Sequence, residues 1–280
     1  MKTCTVFFNC FGGEIVNQLK ASKTFCKTYN IQHIALYDYL EGYKYGNKKE
    51  LIKERKNLVN NCDLLILQYI KKDREVIKHT NIIPFTNKNC KIILIPHYTF
   101  SGYNYPFDII NDNNINENMK KKELMKYIDN LHFDKKQKII LYKDSELENI
   151  KNLDQNSSIK CYEFVANNFN KYRLFNSRSY PTYIFFHYIA QEILYNININ
   201  ELIKPIWSKF GLENSHPILP VVFKYLKLDF GNNFNYKCNL YEYIICCKKL
   251  KVNDLYLINR KKGRTHINEL KQIIESKNYI

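Results

Sequence analysis

Residues 5–19, TVFFNCFGGEIVNQL, compress a strand, a crossover and a helix into one short run. The first half is apolar without interruption and stops at Asn9-Cys10. The second half sets Ile15, Val16 and Leu19 on one helical face. An apolar run with no polar alternation marks a strand buried on both faces, as in a parallel sheet. Between strand and helix stand Cys10, Phe11, Gly12 and Gly13. The two glycines allow a tight turn and a close approach of backbone to a ligand. The helix N-terminus aims its free N–H groups at the same spot, which favours an anion or an oxygen gaining negative charge. That field is expected to lower the pKa of the Cys10 thiol and make it a nucleophile. The alternative is a buried, inert cysteine beside a glycine turn.

Working outward, strand-like runs recur at 3–9, 31–37, 62–68, 91–96 and 138–143, with helical stretches between them. Strand alternating with helix predicts an α/β fold: a three-layer, doubly wound, mostly parallel sheet with ligands at the carboxyl ends of its strands. The second half reads as more helical, with helices expected over 181–197, 199–212 and 216–228. NDNNINEN, residues 111–118, reads as a polar loop. The expected division is a domain over 1–230 and a small C-terminal extension over 231–280, with strands at YEYIICC and DLYLIN before a basic turn and a helix.

Composition narrows the function classes. The chain has 280 residues, 45% of them hydrophobic, so a sizeable core is available. No 18-residue apolar run exists, so no membrane span is expected. The start does not read as a signal peptide. Nine cysteines are scattered without a CxxC pair, which argues for reduced thiols in the cytoplasm and against a metal site or a disulfide scaffold. The net charge of +16 suits a phosphorylated ligand. The lysines are dispersed and no Arg-rich tract occurs, so nucleic acid is not an expected partner.

Three further positions fall at the expected strand ends. Gln68 closes CDLLILQ, where a neutral amide can bind a substrate without a change of charge. The loop IPHYTFSGYNYPF, residues 95–107, carries His97, a candidate base, with Phe100, Tyr103 and Tyr105 to meet a flat or sugar-like partner. The alternative for that loop is aromatic packing on itself. His216 is a second candidate base, and His187 falls inside an expected buried helix.

In order, FFNCFGG, CDLLILQYI and ILIPHYTFSGYNYP resemble the WcbI-like capsular polysaccharide biosynthesis proteins, a family read as acetyltransferases. SRSYPTYIFFHYIAQEIL (177–194) and NSHPILPVVFKYLKL (214–228) look like that family's two His-Pro segments, so the resemblance runs over about residues 3–228. It implies a fold similar to the SGNH hydrolases, coenzyme A binding and acyl transfer in glycan assembly. Cys10 then holds the nucleophile position. Asn9, Gly12, Gly13, Gln68 and Arg178 would face the cofactor, and Phe100, Tyr103, Tyr105 and Tyr180 the sugar. The chain departs from the pattern in three places. Phe11 replaces a Gln, Ser177 holds the Asp position and Tyr180 the His position of an Asp-x-x-His-Pro segment.

A Tyr with pKa about 10 is a poor base for activating water or a hydroxyl. A neutral amine needs only orientation, an oxyanion site and a proton acceptor. The expected function is therefore acetyl transfer from acetyl-CoA to an amino sugar. The alternatives are an SGNH-like esterase or deacetylase with Cys10 as nucleophile, and a non-enzymatic protein that binds polyanions.

Overall fold

The computed structural model describes residues 1–36, 57–70, 78–103, 112–130, 135–208, 210, 218–230 and, singly, 50, 53, 241, 244, 245 and 248. These fall into two compact units that interleave along the chain. The first comprises 1–99, 147–169 and 181–210; the second comprises 100–146, 170–180 and 211–280.

The first unit is built on four parallel strands: β1 (Lys2–Phe8), β2 (Tyr29–Ala35), β3 (Leu64–Tyr69) and β4 (Lys91–Pro96). Their order is β2-β1-β3-β4. β1 pairs with β2 from Lys2↔Tyr29 to Phe8↔Ala35, and with β3 from Cys4↔Leu64 to Phe7↔Leu67. β3 pairs with β4 from Leu64↔Lys91 to Tyr69↔Pro96. All four expected strands of the amino-terminal half are present. Because β2 and β3 flank β1 on opposite sides, the winding reverses between β1 and β3, and the crevice for a ligand opens at their carboxyl ends.

Both faces of the sheet are covered, which explains the unbroken apolar runs. Phe7, Leu65 and Leu67 join Leu36, Val59, Cys62 and Ile82 in a core on one face. On the other, α1 (Phe11–Leu19) buries Phe11, Ile15 and Leu19, and lies close enough to Phe8 that Gly12 is a near neighbour of its Cβ. Each such Ile, Leu or Phe contributes on the order of 1.5–3 kcal/mol by leaving water. Against α1 packs the helix of residues 183–196, whose Phe185, Phe186, Ile189, Ala190, Ile193 and Leu194 are buried.

After that helix the sequence predicts another over 199–212. Instead residues 199–208 form an irregular strap. Pro205 cannot continue a helix, lacking an N–H and clashing with the preceding turn. Two glutamines hold the strap in its place. Gln18 of α1 accepts from Ile206 N (2.9 Å) and donates to Ile206 O (2.6 Å). Gln191 accepts from Ile203 N (3.0 Å) and donates to Glu201 O (3.0 Å).

Glu201 anchors the strap's start on α2 (Lys23–Thr28). Its carboxylate accepts from Ser22 Oγ (2.7 Å) and from the amides of Lys23 (3.0 Å) and Thr24 (2.9 Å), the free donors of a helix N-terminus. The Ser22 hydroxyl and these amides pull its pKa down to about 2. A depressed carboxylate stabilises the fold above its unfolded value and loses that contribution as protons return. The melting temperature of the wild type is therefore expected to fall more steeply than that of Glu201→Gln between about pH 4.5 and 2. Parallel curves over that window would show that Glu201 contributes nothing.

Numbering the remaining helices in chain order, α3 is His79–Ile82, α4 Lys121–Asp129, α5 Lys135–Asp154, α6 Tyr162–Asn168, α7 Tyr183–Asn196 and α8 Pro220–Leu226. The expected strand at 138–143 is part of α5. Its apolar triplet reads as a strand over six residues, but Ile139, Leu147 and Ile150 are buried at helical spacing while Leu141 is 60% exposed. In the second unit Ile115, Leu124 and Ile128 form a core with Tyr241, Ile244 and Ile245. Tyr241, Ile244, Ile245 and Lys248 are helical, in place of the strand expected at YEYIICC; 241, 244, 245 and 248 follow a helical period. DLYLIN and the residues after it lie outside the described residues.

The polar stretch 112–118 makes two Asx turns, Asn114 N to Asp112 Oδ1 and Asn118 N to Asn116 Oδ1, both 2.9 Å. Among the described residues no helix is long and apolar enough to cross a membrane.

Candidate functional site

The carboxyl ends of β1 and β3 meet at Asn9 and Gln68. Gln68 Oε1 accepts from Asn9 N at 3.0 Å, so one side chain bridges the point where the winding reverses. Asn9, 3% exposed, then organises the crossover. Its Oδ1 accepts from Phe11 N (3.0 Å) and its carbonyl from Gly12 N (2.9 Å). Two of the amides expected to hold an oxyanion are thus already bonded within the turn. The amide NH2 groups of Asn9 and Gln68 donate to none of the described residues. Among the described residues these side-chain amides are donors left over at the crossover.

Cys10 is the N-cap of α1 and is exposed. Its backbone is helical (φ −54°, ψ −20°) and its side chain caps nothing. The thiol pKa is raised, contrary to the expectation from the helix field. Loss of hydration around the sulfur outweighs the opposing effect of the Cys10 and Phe11 amides, which point at it. The residue as a whole is exposed at the mouth of the sheet, with its sulfur partly screened from water.

Gly12 and Gly13 both lie within α1, and neither takes a positive φ, so no tight turn calls for glycine here. Gly12 is needed for close approach instead. A Cβ there would stand 2.3 Å from His33 Nε2 and 2.8 Å from Phe8 Cβ. His33, on β2, sits over the crossover with Nε2 3.3 Å from Asn9 O. At Gly13 a Cβ would meet nothing closer than 3.9 Å. His33 went unread in IQHIALY because a polar residue in a strand gives no sign of what the neighbouring strand places beside it.

His97 follows β4 and comes to the same crossover. Its ring stands edge-on to Phe11, centroids 4.7 Å apart at 86°. The next residue fixes the loop: Tyr98 is buried, with its hydroxyl on Asp154 Oδ1 (2.6 Å) and Ile159 O (2.8 Å). Phe11 also meets Phe186 of α7 (5.5 Å) and Phe210 beyond the strap (5.7 Å). Nothing in the sequence marks this aromatic cluster, since its members are far apart along the chain.

Phe100, Tyr103, Arg178 and Tyr180 belong to the second unit. Phe100 and Tyr103, expected to line a sugar site, are buried and pack on each other (5.1 Å, 81°). The Tyr103 hydroxyl donates to Tyr172 O (3.2 Å) and accepts from Leu174 N (3.3 Å). Both are core residues, and the loop's aromatics turn inward because their rings gain more from burial than from water. Arg178 is exposed, and its carbonyl accepts from Phe100 N (2.9 Å). Tyr180 is half-buried on a short strand, Tyr180–Pro181. Ser177, in the family's Asp position, is buried with its Oγ unbonded. Tyr105 and His216 lie outside the described residues. His187 is in α7, as expected.

A parallel sheet covered on both faces, with its winding reversed between β1 and β3, defines an open α/β fold. Residues 3–140 match the family model described as polysaccharide biosynthesis enzyme WcbI, and over those residues the chain belongs to that family of polysaccharide biosynthesis enzymes. A solved structure of WcbI, described as a novel polysaccharide biosynthesis enzyme, superposes with a TM-score of 0.70. The match covers 97% of this chain and 98% of that one at 12% identity, which shows a common fold. That structure is described as the native protein without a disulfide bond between coenzyme A and one of its cysteines. No curated protein matches the chain.

Proposed function

We propose that the protein transfers an acetyl group from acetyl-CoA to the amine of an amino sugar during glycan assembly. The observation that carries the reading is the exposed residue Cys10 at the reversal of winding between β1 and β3, beside the side-chain amides of Asn9 and Gln68, which donate to none of the described residues. The family match and the coenzyme A named with the solved relative support it. The donor's thioester lies against Cys10, with its carbonyl oxygen facing Asn9 Nδ2 and Gln68 Nε2. Two preset donors of this kind stabilise the charge that develops on that oxygen. The neutral amine attacks the carbonyl carbon, a C–N bond forms and the C–S bond breaks. His97 takes the amine proton, and the CoA thiolate leaves and is protonated. In this reading transfer is direct, with Cys10 beside the donor sulfur as a protonated thiol whose pKa is raised by burial.

Calorimetry with CoA, and a thiol-release assay with acetyl-CoA and a panel of UDP- and dTDP-linked amino sugars, test this. CoA is expected to bind, and free thiol to be released only when an amine acceptor is present. Absence of both signals removes the proposal.

A further inference from the structure

Among the described residues, four buried side-chain atoms have no hydrogen-bond partner: Glu14 Oε2, His79 Nδ1, Ser177 Oγ and His187 Nδ1. Two of the four lie on α1 and α7, the helices packed together at the crossover. Glu14 is 8% exposed, so this is a carboxylate more than nine-tenths buried with an unbonded oxygen. A native fold rarely leaves a buried polar atom without a partner, and an ionisable one least of all.

Register places the two residues on comparable stripes of their helices. Residues four apart share a helix face. Glu14 is four before Gln18, and His187 is four before Gln191. Those glutamines hold the strap, at Ile206 and at Ile203, so their faces border the strap. Glu14 and His187 therefore lie on the same strap-facing stripes, one turn nearer the helix starts. Both helices begin at the crossover: α1 is capped by Cys10, and Phe186 in the first turns of α7 touches Phe11. One turn further in, the glutamines' polar atoms are fully matched by the strap backbone. At the crossover end the corresponding polar atoms are matched by nothing described. Glu14 also follows Cys10 by four residues, which puts their Cβ atoms roughly 5–6 Å apart.

We infer that Glu14 and His187 form a subsite for a cationic or N–H-rich group beside Cys10, and that its occupant is the amine of the acceptor. The assignment to an acceptor rests on the acyl-transfer reading; the cation preference does not. A carboxylate with no counter-charge among the described residues selects an ammonium over a hydroxyl or an anion, and the unbonded His187 Nδ1 can accept a second N–H. On an otherwise basic chain, such a subsite separates the amine substrate from the phosphorylated donor by charge.

The test reads the charge preference at Cys10 without any turnover. The protein is treated separately with the trimethylammonium-ethyl and the sulfonatoethyl methanethiosulfonates. Each forms a disulfide with the Cys10 sulfur and expels methanesulfinate, and peptide-resolved mass spectrometry follows Cys10 apart from the other eight cysteines. Glu14→Gln is expected to lower the cationic-to-anionic rate ratio at least fivefold. An unchanged ratio overturns the subsite. In the unaltered protein, D-glucosamine is expected to slow the cationic reagent at Cys10 while glucose at the same concentration does not. Equal effects of the two sugars overturn it as well, and this arm stands even if the variant does not fold. Calorimetry with CoA on the same preparations reads the acyl-transfer reading alone, so its failure and the subsite's failure are separately visible.

Discussion

Cys10→Ala is expected to abolish capture of coenzyme A as a mixed disulfide while leaving acyl transfer within about tenfold of the wild type, the loss of one contact worth about 1 kcal/mol. With CoA disulfide as reagent, the wild-type thiolate attacks the S–S bond, releases one CoA thiol and keeps the other as an adduct detected by mass. Cys10 lies at the mouth of the sheet, where the sulfur of a bound CoA would lie. Because burial pushes this thiol up, the adduct should form slowly at neutral pH and faster as pH rises past the ordinary cysteine range. The alanine variant has nothing to capture. Its retained turnover separates direct aminolysis from a covalent acyl-enzyme. A fall in transfer of about 10³-fold or more, the scale on which removing a true nucleophile acts, would show that the sulfur carries the acyl group. An adduct that persists in the variant would place CoA elsewhere.

Gly12→Ala should be the most damaging small substitution at the crossover, and Gly13→Ala almost silent. The added methyl at position 12 stands 2.3 Å from His33 Nε2, 2.6 Å from its Cδ2 and 2.8 Å from Phe8 Cβ. His33 can swing away, but Phe8 is fixed in β1 between β2 and β3. The start of α1 must therefore shift, and with it the Asn9–Phe11 and Asn9–Gly12 bonds that shape the site. Overpacking of this kind costs about 1–3 kcal/mol, and each kcal/mol lowers Tm by roughly 2–4 °C in chains of 150–250 residues. CoA affinity should fall in the same variant. At position 13 the nearest atom is 3.9 Å away, and alanine is the better helix former by about 0.5–1 kcal/mol. Thermal melts and CoA titrations of the two variants check this. Equal melting temperatures would mean that the crossover accommodates the methyl and that Gly12 has no special role.

The four parallel strands and the crossover were legible because burial on both faces leaves a simple mark: apolar runs with no alternation, as in Thr5–Phe8 and Leu64–Leu67. The same mark misled at 138–143, where three consecutive apolar residues in a twenty-residue helix imitate a strand over a short window. It misled again at 199–208, where apolar spacing suggested a helix but Pro205 and the two glutamines favour an extended strap. Asn9, Cys10 and Gln68 could be placed at the carboxyl ends of β1 and β3 because each ends or follows an unbroken apolar run. The reading of Cys10 as field-activated failed because desolvation, invisible in sequence, is the larger effect. The burial of Phe100 and Tyr103 was hidden for a related reason: whether a loop aromatic faces outward or inward depends on its neighbours in space. His33, Glu14 and His187 gain their meaning only from partners on other elements, or from the want of them.

The strap has a consequence for how this chain can vary. Ile203 is pinned to one helix and Ile206 to another, and only a few residues later Phe210 must reach Phe11. Between these anchors the spacing is a fixed gauge. Deleting or inserting one residue there would carry Phe210 off its seat while leaving both helices intact. Relatives that differ freely in sequence along this span should therefore agree in its length.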